Sequence, residues 1–137
     1  MYVDGAAWET DLRVGLGNTW ISPLLAAHGF IAVEISYRLS GQALFPAQLY
    51  DTKAAIRWLR AHAEQYHIHV DRIGIWGDSA GGHLASLVGV TGERPDLEGQ
   101  SGSPGHSSRV QAVIARVAPK AIFCIQIGKV SRKGTHL

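Results

Sequence analysis

The hydrophobic pattern of the chain changes repeatedly between the period of a strand and that of a helix. Short apolar runs at 30–37, 72–77 and 110–117 predict strands, and Tyr2-Val3 indicates the end of an earlier one. Helical patterns lie between them, and a loop rich in glycine, serine and proline occupies 93–108. The order β-α-β-α-β-α-β predicts an α/β fold, a parallel sheet with helices on both faces.

The predicted helices are 19–28, a segment that starts at Pro46, and 80–90. Asn18 and Gly29 are typical of the cap and the stop of the first helix. The second helix has an apolar face made of Leu49, Ile56, Leu59 and Ala63. Its charged residues Arg57, Arg60 and Glu64 fall elsewhere, and we expect them to face water.

Composition indicates one ordinary globular domain over 1–137, with 46% hydrophobic and 18% charged residues. The net charge of +2 is spread along the chain and does not favour a nucleic-acid partner. No apolar stretch is long enough to span a membrane, and the first residues do not resemble a signal peptide. The compartment is thus left open, with the cytoplasm as the default. The single cysteine, Cys124, lies in an apolar run and is expected to be buried, and no pattern predicts a metal or an organic cofactor.

One motif carries recognisable chemistry, the G-x-S-x-G pattern GDSAG at 77–81. It follows a predicted buried strand and opens a predicted helix, as this motif requires. The tight turn projects the hydroxyl of Ser79 above the carboxyl edge of the sheet, and the helix directs its positive end at the same place. The motif therefore predicts Ser79 as a catalytic nucleophile.

Three segments together closely resemble the esterase/lipase branch of the α/β-hydrolases: VEISYRLS at 33–40, FPAQLYD at 45–51 and DRIGIWGDSAGGH at 71–83. Within that branch the chain is most similar to small carbohydrate-acting esterases, including feruloyl and acetyl-xylan esterases. It is more distantly similar to the hormone-sensitive-lipase-like carboxylesterases. The resemblance covers about 2–114, and 115–137 diverges from it. It implies a partial α/β-hydrolase fold, truncated at both ends.

The resemblance also implies which backbone groups would stabilise an oxyanion. The residue after the nucleophile, Ala80, would donate one N–H. The loop DGAAW at 4–8 stands where the family has a His-Gly-Gly-type loop, so Gly5 and Ala6 would supply the others. Asp4 replaces the usual histidine and Ala6 a usual glycine, and a methyl group restricts the backbone conformations open to that position.

A serine nucleophile needs a base, and the base needs an orienting carboxylate. In this fold the acid and the histidine follow the serine in chain order. Asp96 with either His106 or His136 satisfies that order. By resemblance His83 has a structural role, and the chain lacks segments similar to the family's aspartate and terminal histidine loops.

The aromatic residues Trp8 and Trp76 are expected to pack in the interior. By resemblance, Asp78 supports the neighbouring serine and is not the acid of the triad.

Three functions remain open. The first is a serine ester hydrolase that acts on a small-molecule ester through an acyl-enzyme at Ser79. The second is a truncated, inactive hydrolase fragment whose exposed sheet edges favour self-association. The third is a serine peptidase of the same fold, which would use the same serine.

Overall fold

The computed structural model describes residues 1–5, 8–9, 20–92 and 94–116. Within them a parallel sheet of four strands has the order β2-β1-β3-β4. The strands are β1 (Tyr2–Val3), β2 (Glu34–Ile35), β3 (Gly74–Asp78) and β4 (Ala112–Arg116). The predicted α/β class with a parallel sheet is confirmed.

Three α-helices connect these strands: α1 (Ile21–Ala27), α2 (Ala47–Ala61) and α3 (Ala80–Val90), with a short 3₁₀ turn at Pro95–Leu97. Right-handed crossovers place α2 and α3 on one face of the sheet and α1 on the other, because the chain reverses direction after β2. In agreement, α2 and α3 pack against each other. None of the helices that the structure describes has the length and apolarity needed to cross a bilayer.

The core lies between the sheet and the pair α2 and α3. Its buried members come from all of these elements: Val3, Ile35, Tyr37, Leu49, Ile56, Ile73, Ile75, Leu84, Ala85 and Val88. The small side chains on α3 let that helix approach the sheet closely. This packing fixes where α3 begins, and therefore fixes the turn that precedes it.

The second strand is shorter than predicted, since only Glu34–Ile35 of the segment 30–37 pairs. Its neighbour β1 offers two residues for pairing, so the hydrogen-bond ladder cannot extend along the whole apolar run. Phe30 and Ile31 are accordingly 63% and 51% exposed.

The first helix is also shorter than predicted. Trp20 occupies the position before Ile21–Ala27 and makes no capping hydrogen bond through its side chain. The expected cap, Asn18, lies outside the described residues. Gly29 has φ of +81°, the left-handed conformation expected of a residue that ends a helix.

The prediction that Arg57 faces water is wrong, since it is only 2% exposed. It lies on α2 next to the buried Ile56 and one turn after Lys53, which is fully buried. Both cations point under the loop before β4, where Glu98 accepts hydrogen bonds from each at 2.8 Å. Their ion pairs and hydrogen bonds allow two charges to be buried on the flank of an apolar face. Ala63, expected on that face, lies beyond the end of the helix.

Candidate active site

The order of the strands creates a crevice at the carboxyl ends of β1 and β3. The chain leaves β1 toward β2 on one side, whereas β3 and β4 lie on the other side. Such a switch point is where open α/β sheets bind ligands. Val3 pairs with Gly77, so the residues that follow the two strands leave the sheet side by side. Ser79 thus lies at the crevice.

Ser79 occupies the turn between β3 and α3 with φ of +50° and ψ of −116°. A side chain in such a conformation costs on the order of 1–3 kcal/mol, and it persists only where surrounding contacts hold it. The Ser79 N–H donates to the carbonyl of Arg116 at 2.8 Å, and its carbonyl accepts from the N–H of His83 at 3.0 Å. The residue itself is exposed. This is the strained, open geometry that a nucleophile elbow requires.

The two motif glycines are needed because backbone segments approach each other closely. A Cβ added to Gly77 would overlap the carbonyl of Gly81, and one added to Gly81 would overlap the carbonyl of Val3. Neither obstacle is a flexible side chain that could move aside. The G-x-S-x-G spacing therefore reflects the packing of α3 directly against β1 and β3.

The groups predicted to form an oxyanion hole meet near this turn. Ala80 is buried at the first position of α3, where its N–H has no partner within the helix. A Cβ on Gly5 would lie 3.0 Å from the Cβ of Ser79, so this loop directly adjoins Ser79. The Gly5 N–H, however, donates to Oδ1 of Asp4 at 2.8 Å. Ala6 lies outside the described residues. The roles of Ala80, Gly5 and Ala6 therefore remain predictions.

A buried polar network lies next to the serine turn, and the sequence patterns did not predict it. Asp78 is 6% exposed and accepts from Nε and Nη2 of Arg116 at 2.7 and 2.9 Å, and from the hydroxyl of Tyr2 at 3.1 Å. The hydrogen bonds and the charge of Asp78 raise the pKa of Arg116 above its ordinary value. The hydroxyl of Tyr37 donates to the carbonyls of Asp4 and Gly5 at 3.1 and 3.2 Å. The only signal for Arg116 was its place at the end of a predicted strand.

His83 lies one helical turn after the serine and packs edge-on against Trp8, with ring centroids 5.3 Å apart. Burial lowers the pKa of His83, which favours the neutral imidazole. Its Nδ1 is buried and has no hydrogen-bond partner among the described residues. Trp8 packs partly buried against the core. These contacts agree with structural roles for both rings.

Among the described residues, no hydrogen bond or ion pair joins Asp96 or His106 to Ser79, and both lie in the loop that follows α3. The helix α3 carries the chain about 16 Å away from Ser79, at about 1.5 Å per residue, before the loop that contains both residues. That loop leads into the first residue of β4, at the amino edge of the sheet. In that loop the carboxylate of Asp96 pairs with Arg94 and its carbonyl accepts from the hydroxyl of Tyr50, near the start of α2, while His106 is exposed. The roles of Asp96 and His106 as acid and base therefore remain predictions, and His136 lies outside the described residues.

A cavity of about 270 Å³ also lies at the amino edge, between α2 and the loop before β4. Arg57, Glu98, His106 and Ser108 are among the residues that line it. It is therefore separate from the crevice at Ser79. Within the described ranges, no group of three or more histidine, cysteine, aspartate or glutamate residues is arranged to hold a metal ion.

Comparison with known proteins identifies the family of this chain. The BD-FAE family model matches residues 1–135, nearly the whole chain. The chain belongs to the BD-FAE family. This membership confirms the resemblance to esterase-type α/β-hydrolases that the three motif segments indicated.

Several relatives of this BD-FAE chain have names that describe them as esterases or ester hydrolases. It is 38% identical to the probable carboxylic ester hydrolase LipM of Mycobacterium tuberculosis, over 82% of this chain and 25% of that protein. A structure of a bifunctional GH43-CE protein of Bacteroides eggerthii is 42% identical, with a TM-score of 0.78, over 86% of this chain and 16% of the other. A structure of the Est2 esterase of Thermogutta terrifontis with propionate bound is 29% identical, with a TM-score of 0.66, over 81% and 40%. The chain thus spans about a quarter of the length of the curated relatives it matches.

Proposed function

We propose that this chain provides the nucleophile of a serine carboxylic-ester hydrolase, with Ser79 as that nucleophile. The observation that carries the proposal is the strained, exposed conformation of Ser79 at the switch point of the sheet. A non-glycine residue with positive φ is uncommon, and one at a strand-to-helix turn beside a crevice is typical of this chemistry. Relatives named as esterases support the same chemistry.

In this mechanism the Ser79 Oγ attacks the carbonyl carbon of the ester while a base takes its proton. The carbonyl π electrons move to the oxygen, and the resulting oxyanion accepts a hydrogen bond from the N–H of Ala80 and lies at the positive end of α3. Collapse of the tetrahedral intermediate breaks the bond to the alkoxy oxygen, which takes the proton back from the base and leaves as the neutral alcohol. Water then attacks the acyl-enzyme, releases the carboxylic acid and regenerates the serine.

The substrate class we propose is a small ester of a short acyl group on a sugar. Two solved structures to which the chain is similar are a GH43-CE protein and a truncated carbohydrate esterase from gut microbiota. Another neighbour holds propionate, a short acyl acid.

The test is covalent labelling together with hydrolysis. A structure of Thermogutta terrifontis esterase 2 phosphorylated by paraoxon makes this reagent a suitable probe. We expect paraoxon to modify the wild-type chain once, at Ser79, as read by intact-mass and peptide mass spectrometry. Ser79→Ala should prevent modification, and Ser101→Ala, which changes an exposed serine at the amino edge, should not. A folded wild-type chain that stays unmodified would contradict the proposal.

One observation favours the alternative of an inactive fragment. Among the described residues, no hydrogen bond joins the Ser79 hydroxyl to a histidine, so no base for the serine is in place there. Hydrolysis of p-nitrophenyl acetate by wild type and by Ser79→Ala separates the two functions. Activity that disappears in the variant supports the hydrolase, and equal background rates support the fragment. Cleavage of the matching p-nitroanilide at a comparable rate would instead favour a peptidase.

A further inference from the structure

We propose that Arg116 is a positioning residue that holds Ser79 in its strained conformation, a role that rests on the proposed function of that serine. Arg116 is the last residue of β4, and it pairs in register with Asp78, the last residue of β3. It contacts the start of the turn twice, once through its backbone and once through its side chain.

The first contact is made by the backbone. The Ser79 N–H donates to the Arg116 carbonyl at 2.8 Å, which continues the ladder between β3 and β4 by one bond. That bond fixes the amide plane that precedes the strained Cα of Ser79. The helix α3 fixes the amide plane that follows it, because the His83 N–H bonds the Ser79 carbonyl. Strain of this kind persists only where both sides are held.

The second contact is made by the side chain. Arg116 donates from Nε and Nη2 to both oxygens of Asp78, in a bidentate pair at 2.7 and 2.9 Å. A planar fork of this kind restricts direction as well as distance. Because Asp78 directly precedes the serine, the pair fixes β4 to the residue from which the turn starts. Asp78 is almost fully buried, so the carboxylate cannot reorient easily toward water.

Charge is a further reason to assign this role to Arg116. The Tyr2 hydroxyl lies 3.1 Å from Asp78 and 3.5 Å from Asp4, and its one hydrogen can serve one of the two carboxylates at a time. Both carboxylates are buried close to the place where an oxyanion would form. The guanidinium of Arg116 offsets this negative charge. Its loss should therefore affect the transition state more than the binding of a neutral ester.

The experiment compares Arg116→Gln and Arg116→Lys with Arg94→Gln. Arg94 forms a similar bidentate pair with Asp96, at 2.9 and 2.7 Å, but this pair is exposed and lies in the loop that follows α3. We expect Arg116→Gln to lower kcat for p-nitrophenyl acetate by roughly 10- to 100-fold, with KM changed by less than about threefold. Arg116→Lys should recover part of kcat, since it keeps the charge without the fork. Arg94→Gln should match wild type.

A second measurement does not depend on activity. Amide hydrogen exchange by NMR reports the Ser79 N–H directly, and Arg116→Gln should speed its exchange at least about tenfold while amides in the middle of α3 keep their protection. If the proposed function is wrong, the wild-type chain will not hydrolyse the ester. The exchange rate of the Ser79 amide will still test the role of Arg116 in that case. Unchanged Ser79 exchange and unchanged kcat would overturn the positioning role. A uniform loss of protection across the fold, in both Arg116 variants, would also overturn it.

Discussion

At the scale of single residues, the crevice depends on a close approach between the backbone of α3 and the backbone of β1. Only glycine, which has no Cβ, allows the two backbones to come so close. The Ser79 turn rests on Gly81, and Gly81 in turn lies against the carbonyls of Val3 and Asp4. The obstacles are backbone atoms of a central strand, which cannot shift without breaking the pairing of β1. One methyl group at this point should therefore disturb both stability and the position of the serine.

Gly81→Ala tests this dependence. We expect a loss of about 3 kcal/mol in the free energy of unfolding, at the upper end of the usual cost of overpacking. Gly105→Ala is the matched control, because a Cβ there would meet open space. Urea unfolding followed by circular dichroism measures both variants, with the slope of the transition checked for constancy. Equal stability of the two variants would show that α3 can move away from β1 at little cost.

At the scale of elements, the loop before β4 is held to α2 by a buried ionic cluster. Lys53 and Arg57 are 0% and 2% exposed, and both bond Glu98, which also accepts from the Ser108 hydroxyl at 2.8 Å. Burial opposes ionisation of Glu98, but the bonds from Lys53 and Ser108 and the two positive charges outweigh it, so its pKa lies below the ordinary value. The loop and the helix are thus coupled through one carboxylate.

This coupling predicts a pH-dependent component of stability. The pKa of Glu98 in the folded chain is depressed, so the unfolded chain binds more protons between the two pKa values, and stability decreases as the pH is lowered through that window. The contribution should be complete above the ordinary glutamate pKa of 4.5 and lost as pH falls through the lower folded value. Glu98→Gln should cost about 3 kcal/mol at pH 7, because two buried cations lose their partner. Urea titrations should show that the difference in unfolding free energy between wild type and Glu98→Gln is smaller at pH 3 than at pH 7. An equal difference at the two pH values would contradict the depressed pKa of Glu98.

The outcome of the sequence predictions differs between elements for physical reasons. The helix predicted at 80–90 matches α3 in both bounds, because a glycine-bounded motif starts it and an apolar run continues it. The burial of Arg57 was missed, since its partner Glu98 lies 41 residues away and helical periodicity reports only the face of its own helix. Asp96 and His106 satisfy chain order, but order alone does not say how closely a loop approaches the serine, so their roles stay predictions. The strained turn at Ser79 was predictable because strand, turn and helix are contiguous in sequence.

At the scale of the whole molecule, the two edges of the sheet have different roles. The carboxyl edge gathers Ser79, Gly5 and the buried network around Asp78, whereas the amino edge gathers the ionic cluster and the 270 Å³ cavity. The strand β4 runs from one edge to the other. Its first residue follows the loop that Glu98 holds to α2, and its last residue, Arg116, contacts the Ser79 turn. In the described part of the chain β2 and β4 are the outer strands of the sheet. Their outer sides expose main-chain groups that can pair with another sheet.

This arrangement gives a prediction about association, centred on β4. Ile114 lies in the middle of that strand and is 50% exposed, so an apolar side chain and unpaired main-chain groups occur together. We expect the average mass of the 137-residue chain, measured by sedimentation velocity, to rise with concentration. Ile114→Lys should suppress the rise, because a charge on an outer strand opposes edge-to-edge pairing. Val70→Lys is the matched control, since Val70 is 42% exposed in a loop outside the sheet. If both lysine variants reduce association equally, added net charge accounts for the effect, and if neither does, β4 is not where the chains meet.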